Sequence, residues 1–339
     1  MRRIVVDKTS TNHQLSIRSF EYENTLPADQ VEIDVKAAGV NFSDILARKG
    51  LHPDAPEPSF VPGYEVAGVV STVGESVSKS WLGKKVVALT PFGGYTEKLR
   101  VTANYIYDMP PRLSFAEAAG MPVVYLTAWQ SLITMGALQD DDWVLIHNIG
   151  GGVGLAAIEV ARLYNTTIIG TASKHKHPAL KERGVDHLID YNHENWEAIV
   201  KHLTGGKGVE LILDPIGGTH WRKSYNSLRI TGRLGLFGIS IALNNRTGRT
   251  MSLLKTAIGM PFFHPIALMN GNKAVFGVNL GQIWQEHDKV RKWMDAISTH
   301  VEAERFNPSI DRIYSFEDAN LAHRYIEERK NIGKVVLVT

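Results

Sequence analysis

The chain has 339 residues, no cysteine, 44% hydrophobic residues and a formal net charge of +2. That length holds two domains with cores of their own, the scattered lysines and arginines leave no nucleic-acid footprint, and neither disulfides nor thiolate zinc sites can form. Lack of cysteine suits a reducing compartment, the N-terminus runs into a strand-like segment rather than a secretory signal, and no apolar run reaches the ~18 residues of a membrane span. The expectation is a cytoplasmic protein that partners neither nucleic acid nor, through any transmembrane segment, a membrane.

Residues 1–122 read as β-rich. The segments Leu15–Ser19, Val31–Ala37, Val66–Val73, Lys85–Thr90 and Tyr95–Val101 have strand character, with turns at Pro62-Gly63 and Val73-Gly74. This punctuation suits a barrel-like fold. Tyr107–Arg112 is a proline-marked connection, and Ser114-Phe115-Ala116-Glu117 is a capping-box signature that opens a helix. Pro122 interrupts that helix, and Tyr125–Gly136 is helical again.

From about 123 to 278 the pattern becomes α/β. Trp143–His147 is a short apolar strand, Asn148-Ile149-Gly150-Gly151-Gly152-Val153-Gly154 a glycine turn, Leu155–Tyr164 a helix and Thr167–Gly170 the next parallel strand. Strand, glycine turn and helix in this order form the dinucleotide-binding arrangement. Glycine lets the backbone approach a pyrophosphate, and the free amides of the helix N-terminus face that anion. The usual first glycine is replaced by Ile149, while Gly151 and Gly154 hold the later positions. Past the second strand, Thr171-Ala172-Ser173-Lys174-His175-Lys176-His177 contains no carboxylate for ribose hydroxyls. A hydroxyl at Ser173 and a cation at Lys176 suit a 2′-phosphate instead, which predicts NADPH rather than NADH.

Further units continue the pattern: a helix Pro178–Arg183, a strand within Gly184–Asp190, a helix Trp196–Leu203, a strand Val209–Leu213 ending in Asp214-Pro215-Ile216-Gly217-Gly218, a helix His220–Leu228 and a strand Gly232–Phe237. Such alternation implies right-handed crossovers, a mostly parallel sheet, and ligands at the carboxyl ends of its strands. Asn244–Arg249 reads as a polar loop. The apolar stretch 251–269 is open between a core cover, a substrate lid and a partner surface. Ala274–Val278 is an edge strand of the kind that pairs across a two-fold axis, so a homodimer is expected. Trp284–Thr299 and a segment from Phe316 to about Glu328 read as helices, with Pro308–Tyr314 and Gly333–Val338 as strands.

Taken together, Ala38-Gly39-Val40-Asn41-Phe42-Ser43-Asp44, Pro62-Gly63-Tyr64-Glu65-Val66-Ala67-Gly68, Leu126-Thr127-Ala128-Trp129, Gly151-Gly152-Val153-Gly154, Gly170-Thr171-Ala172-Ser173, Asp214-Pro215-Ile216-Gly217-Gly218 and Asn331-Ile332-Gly333-Lys334-Val335 resemble the medium-chain dehydrogenase/reductase superfamily over essentially the whole chain. The nearest branch is the zinc-free quinone oxidoreductases, zeta-crystallin among them, with homologues of the synaptic vesicle membrane protein nearer still. The resemblance implies an α/β fold in which a Rossmann-type parallel-sheet nucleotide domain, residues 123–278, is inserted into a β-rich, barrel-like (GroES-like) catalytic domain made of residues 1–122 plus 279–339.

Zinc-dependent relatives carry Cys where Asn41 stands and His where Tyr64 stands. An amide and a phenol do not replace a thiolate and an imidazole as zinc ligands, so no metal is expected. Without one, the acceptor must already be electrophilic: a quinone or an α,β-unsaturated carbonyl. The resemblance makes Asn41 and Tyr64 the candidate catalytic residues. Asn41 orients the carbonyl or the nicotinamide ribose, or is only a turn residue; Tyr64 donates to the substrate oxygen, or is a packed aromatic. Glu65 is read as an inward carboxylate steadying the old metal position, and Asp44 as a helix cap. His52, where many quinone reductases carry tyrosine, binds, donates a proton or merely lies on the surface. For the cofactor the resemblance implies Asn41, Thr127, Gly151, Gly152, Val153, Gly154, Ser173, Lys176, Tyr191, Phe237, Phe276, Val278, Asn331 and Lys334. The function expected is NADPH-dependent, metal-free reduction of quinones or enones by direct hydride transfer. The alternative is an NADPH-binding regulatory or interaction protein with little turnover.

Overall fold

A computed structural model describes residues 1–10, 14–22, 25–240, 259–283 and 285–339. The Asn244–Arg249 loop, the first part of the 251–269 stretch and Trp284 lie outside the described residues. The chain divides into two compact units, Met1–Leu126 with Leu280–Thr339, and Thr127–Asn279.

The first unit is built on a seven-stranded sheet. Its strands run in the order Ile310–Ser315, Lys334–Val338, Gln30–Val40, Glu65–Val73, Lys85–Leu89 and Ile106–Asp108, with Lys98–Thr102 also paired to Gln30–Val40. Arg2–Val5 and Ser16–Ser19 form a separate antiparallel pair. Val31, Ile33 and Val35 alternate into the core, where they join Val66, Val70, Val86, Ala88 and Tyr95, as a sheet with one buried face requires. Two registers bring distant charged residues to one end of this sheet. Val335 pairs with Val40 antiparallel, so Lys334 arrives beside Asn41. Ala38 pairs with Val66, so Glu65 arrives beside Gly39. A Cβ on Gly39 would lie 2.4 Å from Glu65 Oε1 and 2.5 Å from the Ala119 carbonyl oxygen; only glycine leaves room for that carboxylate.

Ser114 caps the helix Phe115–Ala119 and bonds reciprocally with Glu117, as the capping-box signature predicts. Pro122 does not break a helix but opens a new one, Pro122–Trp129, after Gly120 has ended the first. At a helix start the missing proline N–H costs no hydrogen bond. This helix continues as one wider turn, Gln130–Thr134.

The second unit is a six-stranded parallel sheet in the order His187–Asp190, Thr167–Ala172, Trp143–His147, Val209–Asp214, Leu228–Leu236 and Ala274–Gly277. Strand order reverses between Trp143–His147 and Val209–Asp214, which creates a topological switch point. The first helix spans Gly152–Ala161 and so starts directly on the glycines. The helix read as His220–Leu228 ends at Asn226, because Leu228 already pairs with Val209. The strand read as Gly232–Phe237 therefore begins at Leu228. Leu145, Ile169, Ile189, Ile212 and Leu234 from five strands share a core with Trp196 and Val200. Ala274–Gly277 closes the sheet at one edge. Among the described residues no helix is long and apolar enough to cross a membrane.

The tightest packing in this unit lies under the glycine turn. A Cβ on Gly154 would sit 2.3 Å from the Ile149 carbonyl oxygen and 2.6 Å from Ile149 Cα, whereas one on Gly151 would meet only the Asn148 carbonyl oxygen at 3.4 Å. Gly154→Ala is therefore expected to destabilise the protein by about 1–3 kcal/mol, and Gly151→Ala much less. Thermal unfolding of the two variants side by side checks this; equal melting temperatures would contradict it.

Candidate functional site

Asn41 stands where the strand Gln30–Val40 hands over to the helix Phe42–Arg48, at the helix N-cap. Its side chain is held at both ends. Lys334 Nζ donates to Asn41 Oδ1 at 2.5 Å, and Asn41 Nδ2 donates to Glu65 Oε1 at 2.9 Å. Lys334 Nζ also pairs with Glu65 Oε1 at 2.6 Å, and the Val123 amide donates to Glu65 Oε2 at 2.7 Å. Glu65 is wholly buried and Lys334 is 4% exposed. An amide between an ammonium and a carboxylate has one orientation only: flipped, it would set NH₂ against NH₃⁺ and oxygen against oxygen. One Nδ2–H and one Oδ1 lone pair of Asn41 remain to act on a bound molecule.

Asp44 lies in the first turn of the same helix and closes its N-terminus as the acidic half of a capping box with Asn41. Its Oδ2 accepts from the Asn41 amide at 2.7 Å and from the Tyr95 hydroxyl at 2.9 Å, and its Oδ1 accepts from the Gly63 amide at 2.9 Å. Tyr95 in turn bonds His323 Nε2 at 3.2 Å. Burial pushes the Asp44 carboxyl up to about 7, against the three donors that favour its charge. Tyr64 is also buried. Its hydroxyl makes no hydrogen bond of ordinary geometry, with the Ser43 side chain the hydrogen-bonding group that acts on it. Burial raises its pKa, so the phenol stays protonated. His52 is not a free surface group: its ring lies 6.1 Å from Tyr64 and 6.2 Å from Phe92, and its Nδ1 accepts from the Asp54 amide.

In the second unit, Gly151 is the N-cap of the helix Gly152–Ala161 and no side chain caps it. Its first turn, with Gly152, Val153 and Gly154, presents backbone amides outward from a glycine turn. Lys176 crosses that turn: its Cδ lies 2.9 Å from the place of a Cβ on Gly150. Beside the end of the second strand, Ser173 Oγ donates to Tyr191 Oη at 2.9 Å and accepts from Asn192 Nδ2 at 3.2 Å. The structure thus gathers Ser173 and Tyr191 with Asn192, an asparagine that no sequence motif singles out, and lays Lys176 over the glycines.

Thr127 is buried on the helix Pro122–Trp129. Phe237 comes after the strand Leu228–Leu236, its amide directed at the Asp214 carbonyl, while Val278 donates its amide to Leu236 at 2.8 Å. Phe276 packs over Gly235 in the edge strand. In the first unit Asn331 Nδ2 bonds the Gly333 carbonyl at 2.8 Å. Lys334, a cofactor candidate, has its ammonium held by Glu65 and Asn41. The links to Glu65, Tyr95 and His323 are long-range, and only strand register could have revealed them.

Two families match, the alcohol dehydrogenase GroES-like domain over residues 27–111 and the zinc-binding dehydrogenases over residues 152–298. The synaptic vesicle membrane protein VAT-1 homolog of Danio rerio is 36% identical over 315 residues, 93% of this chain and 65% of that protein's length. The Homo sapiens VAT-1 homolog is 36% identical over 310 residues, 91% of this chain and 79% of its own length. Escherichia coli quinone oxidoreductase, solved in complex with NADPH, superposes over 100% of both chains with a TM-score of 0.87 at 25% identity. The zinc named in the second family does not fit the cluster around Asn41. An amide and a phenol replace soft ligands there, and a buried ammonium already neutralises Glu65.

This geometry has two measurable consequences. Lys334→Met strands a buried carboxylate and is expected to cost about 3–5 kcal/mol, part of which Glu65→Gln in the same chain returns. Denaturant unfolding of the single and double variants measures both, and a Lys334→Met protein as stable as its parent would contradict the pairing. The second consequence concerns Asp44, whose folded pKa of about 7 lies above its unfolded value of 3.8. The stability it contributes is complete below about pH 4 and is lost as the pH rises through 7. Asp44→Asn should flatten the fall in stability between about pH 4 and pH 7; an unchanged slope would exclude Asp44 as its source.

Proposed function

The chain belongs to the zinc-independent branch of the medium-chain dehydrogenase/reductase superfamily, and on that footing we propose that it reduces quinones or α,β-unsaturated carbonyl compounds with NADPH. The observation that carries this reading is the Lys334–Glu65–Asn41 cluster, which puts a fixed ammonium and amide where a Lewis acid would otherwise be required. NADPH, when bound, supplies a hydride. The chain's own groups then have only to position the acceptor, stabilise the charge that develops on its oxygen and see that a proton arrives. A simple ketone or aldehyde needs stronger polarisation than hydrogen bonds give; a conjugated acceptor does not.

In this reading Asn41 uses its remaining Nδ2–H to hold the acceptor oxygen or the nicotinamide ribose. Tyr64, a buried phenol without an ordinary hydrogen bond, gives its own to the acceptor oxygen. The hydroxyl's lack of a hydrogen bond of ordinary geometry supports this, since a poorly satisfied buried donor is costly unless a ligand supplies a better partner. On the cofactor side the glycine amides take the pyrophosphate, and Ser173 with Lys176 takes the 2′-phosphate. Tyr191 lies against the adenosine, and Thr127, Phe237, Phe276 and Val278 line the nicotinamide side.

One observation favours the alternative of a binding protein with little turnover. Phe262, Ile266 and Met269, on and beside the helix Pro265–Gly271, are 82%, 60% and 77% exposed, an apolar surface of the kind partners cover.

Oxidation of NADPH in the presence of quinones, enones or simple aldehydes, with and without chelator, separates the two. The reductase reading expects turnover with the conjugated acceptors and none lost to chelator. Tight NADPH binding without turnover would favour the binding protein, and activity confined to aldehydes and abolished by chelator would overturn both. Lys176→Ala should weaken NADPH binding far more than NADH binding; equal losses would remove Lys176 from the 2′-phosphate.

A further inference from the structure

The second unit carries a group of polar side chains that the proposed reductase chemistry leaves unused. His147 ends the strand Trp143–His147, and Asp214 ends its parallel neighbour Val209–Asp214. His220 and Ser224 lie one turn apart on the helix His220–Asn226. Among the described residues, His147, Asp214 and His220 bring one ligand atom each to within 4.8 Å of one another.

Each donor is already oriented. His147 Nδ1 is bonded to Thr171 Oγ1 at 3.0 Å, which turns Nε2 toward the group. Asp214 Oδ1 accepts from the Ile216 amide at 2.8 Å, which turns Oδ2 toward His220 Nδ1 at 2.7 Å. The Trp196 ring packs on both imidazoles, with centroids 4.7 Å from His147 and 5.2 Å from His220. An outer hydrogen bond on the ligand histidine, an outer hydrogen bond on the ligand carboxylate and an apolar wall are the surroundings metal-binding side chains have. The charge points the same way. Asp214 is fully buried, and among the described residues its side-chain partners are an amide, a hydroxyl and an imidazole, with no lysine or arginine. A carboxylate so placed gains from a cation held directly against it.

We propose that His147, Asp214 and His220 form a binding site for a divalent transition metal of zinc-like preference, within the nucleotide-binding unit and apart from the Asn41 cluster. Two imidazoles and one carboxylate are a nitrogen–oxygen set that suits Zn²⁺ and excludes the hard, all-oxygen preference of Mg²⁺ and Ca²⁺. The Ser224 hydroxyl marks the centre, 2.6 Å from Asp214 Oδ2, 3.3 Å from His147 Nε2 and 3.5 Å from His220 Nδ1. Metal bonds of about 2.0–2.2 Å would replace the direct Asp214–His220 and Asp214–Ser224 hydrogen bonds, and the hydroxyl either becomes the fourth ligand or turns away. The ion would tie together the ends of the two strands that flank the switch point. His147 lies only four residues before Gly151, so the clamp stiffens the base of the glycine turn.

The full chain, stripped with chelator and dialysed, is titrated calorimetrically with Zn²⁺, and separately with Co²⁺ while its visible spectrum is recorded. The expected result is one saturable equivalent, a Co²⁺ spectrum of a nitrogen–oxygen site and a higher melting temperature with metal. His220→Ala and the closer-sized His220→Gln should each weaken binding by at least about tenfold while keeping the parent's circular dichroism. Ser224→Ala, which clears the centre, should retain binding, as should His202→Ala on the exposed face of the helix Trp196–Leu203. Absence of saturable binding, or binding that both His220 variants leave intact, would overturn the site. Binding is read here without turnover, so the result stands apart from that of the acceptor panel.

Discussion

A carboxylate with no exposed surface sits at one end of the first unit's sheet, and that end is arranged around balancing it. Glu65 reaches its place only because Gly39 has no side chain, and it is held there at tolerable cost only because Lys334 comes to it from the C-terminal strand. Neither half of the pair is useful alone: an unpartnered buried charge costs several kcal/mol. The antiparallel register between Lys334–Val338 and Gln30–Val40 joins residues 293 positions apart in sequence into one cluster. Asn41, gripped by both charges, is the part of that cluster left with hydrogen-bonding capacity to spare. The chemistry derives from this balance. Where a relative can polarise a carbonyl with zinc, this chain has an ammonium already committed to a carboxylate, which is the basis of the proposal that its acceptor brings its own electrophilicity.

The second unit solves a different problem with the same economy of backbone. Strand, glycine turn and helix leave the amides of Gly152 to Gly154 uncapped by any side chain, and Gly154 is pressed so closely on Ile149 that helix and strand cannot separate without loss. Ile149, standing where a first glycine is usual, is buried and packs on Gly170 of the next strand. The departure from the usual glycine pattern is therefore compensated by a glycine elsewhere, which takes up the bulk of the isoleucine side chain.

Local features were legible in the sequence. The capping box at Ser114, the helix Trp196–Leu203, the alternation of strands and helices after Trp143 and the lack of a carboxylate after Ala172 all report contacts within a few residues. The meeting of Ser173 and Tyr191 follows instead from the parallel pairing of strands Thr167–Ala172 and His187–Asp190. Boundaries were less legible: Pro122 starts a helix where its ring argues for a break, and Leu228 leaves its helix because a partner strand claims it. What could not be read was which buried charges meet. Nothing local distinguishes Lys334 from a solvated lysine at a strand end, or His147 from an ordinary core histidine; both are decided by strand register and by which helix covers the sheet.

The proposed transfer of a hydride to an activated acceptor, with hydrogen bonds and a buried ion pair in place of a metal, should leave an isotopic record. NADPH carrying deuterium at both positions of nicotinamide C4 is supplied with a simple enone, chelator is present throughout, and the product is read by mass spectrometry. One deuterium retained on the β-carbon of the saturated product is expected. Deuterium lost to solvent, or product formed only when metal is restored, would contradict metal-free hydride transfer.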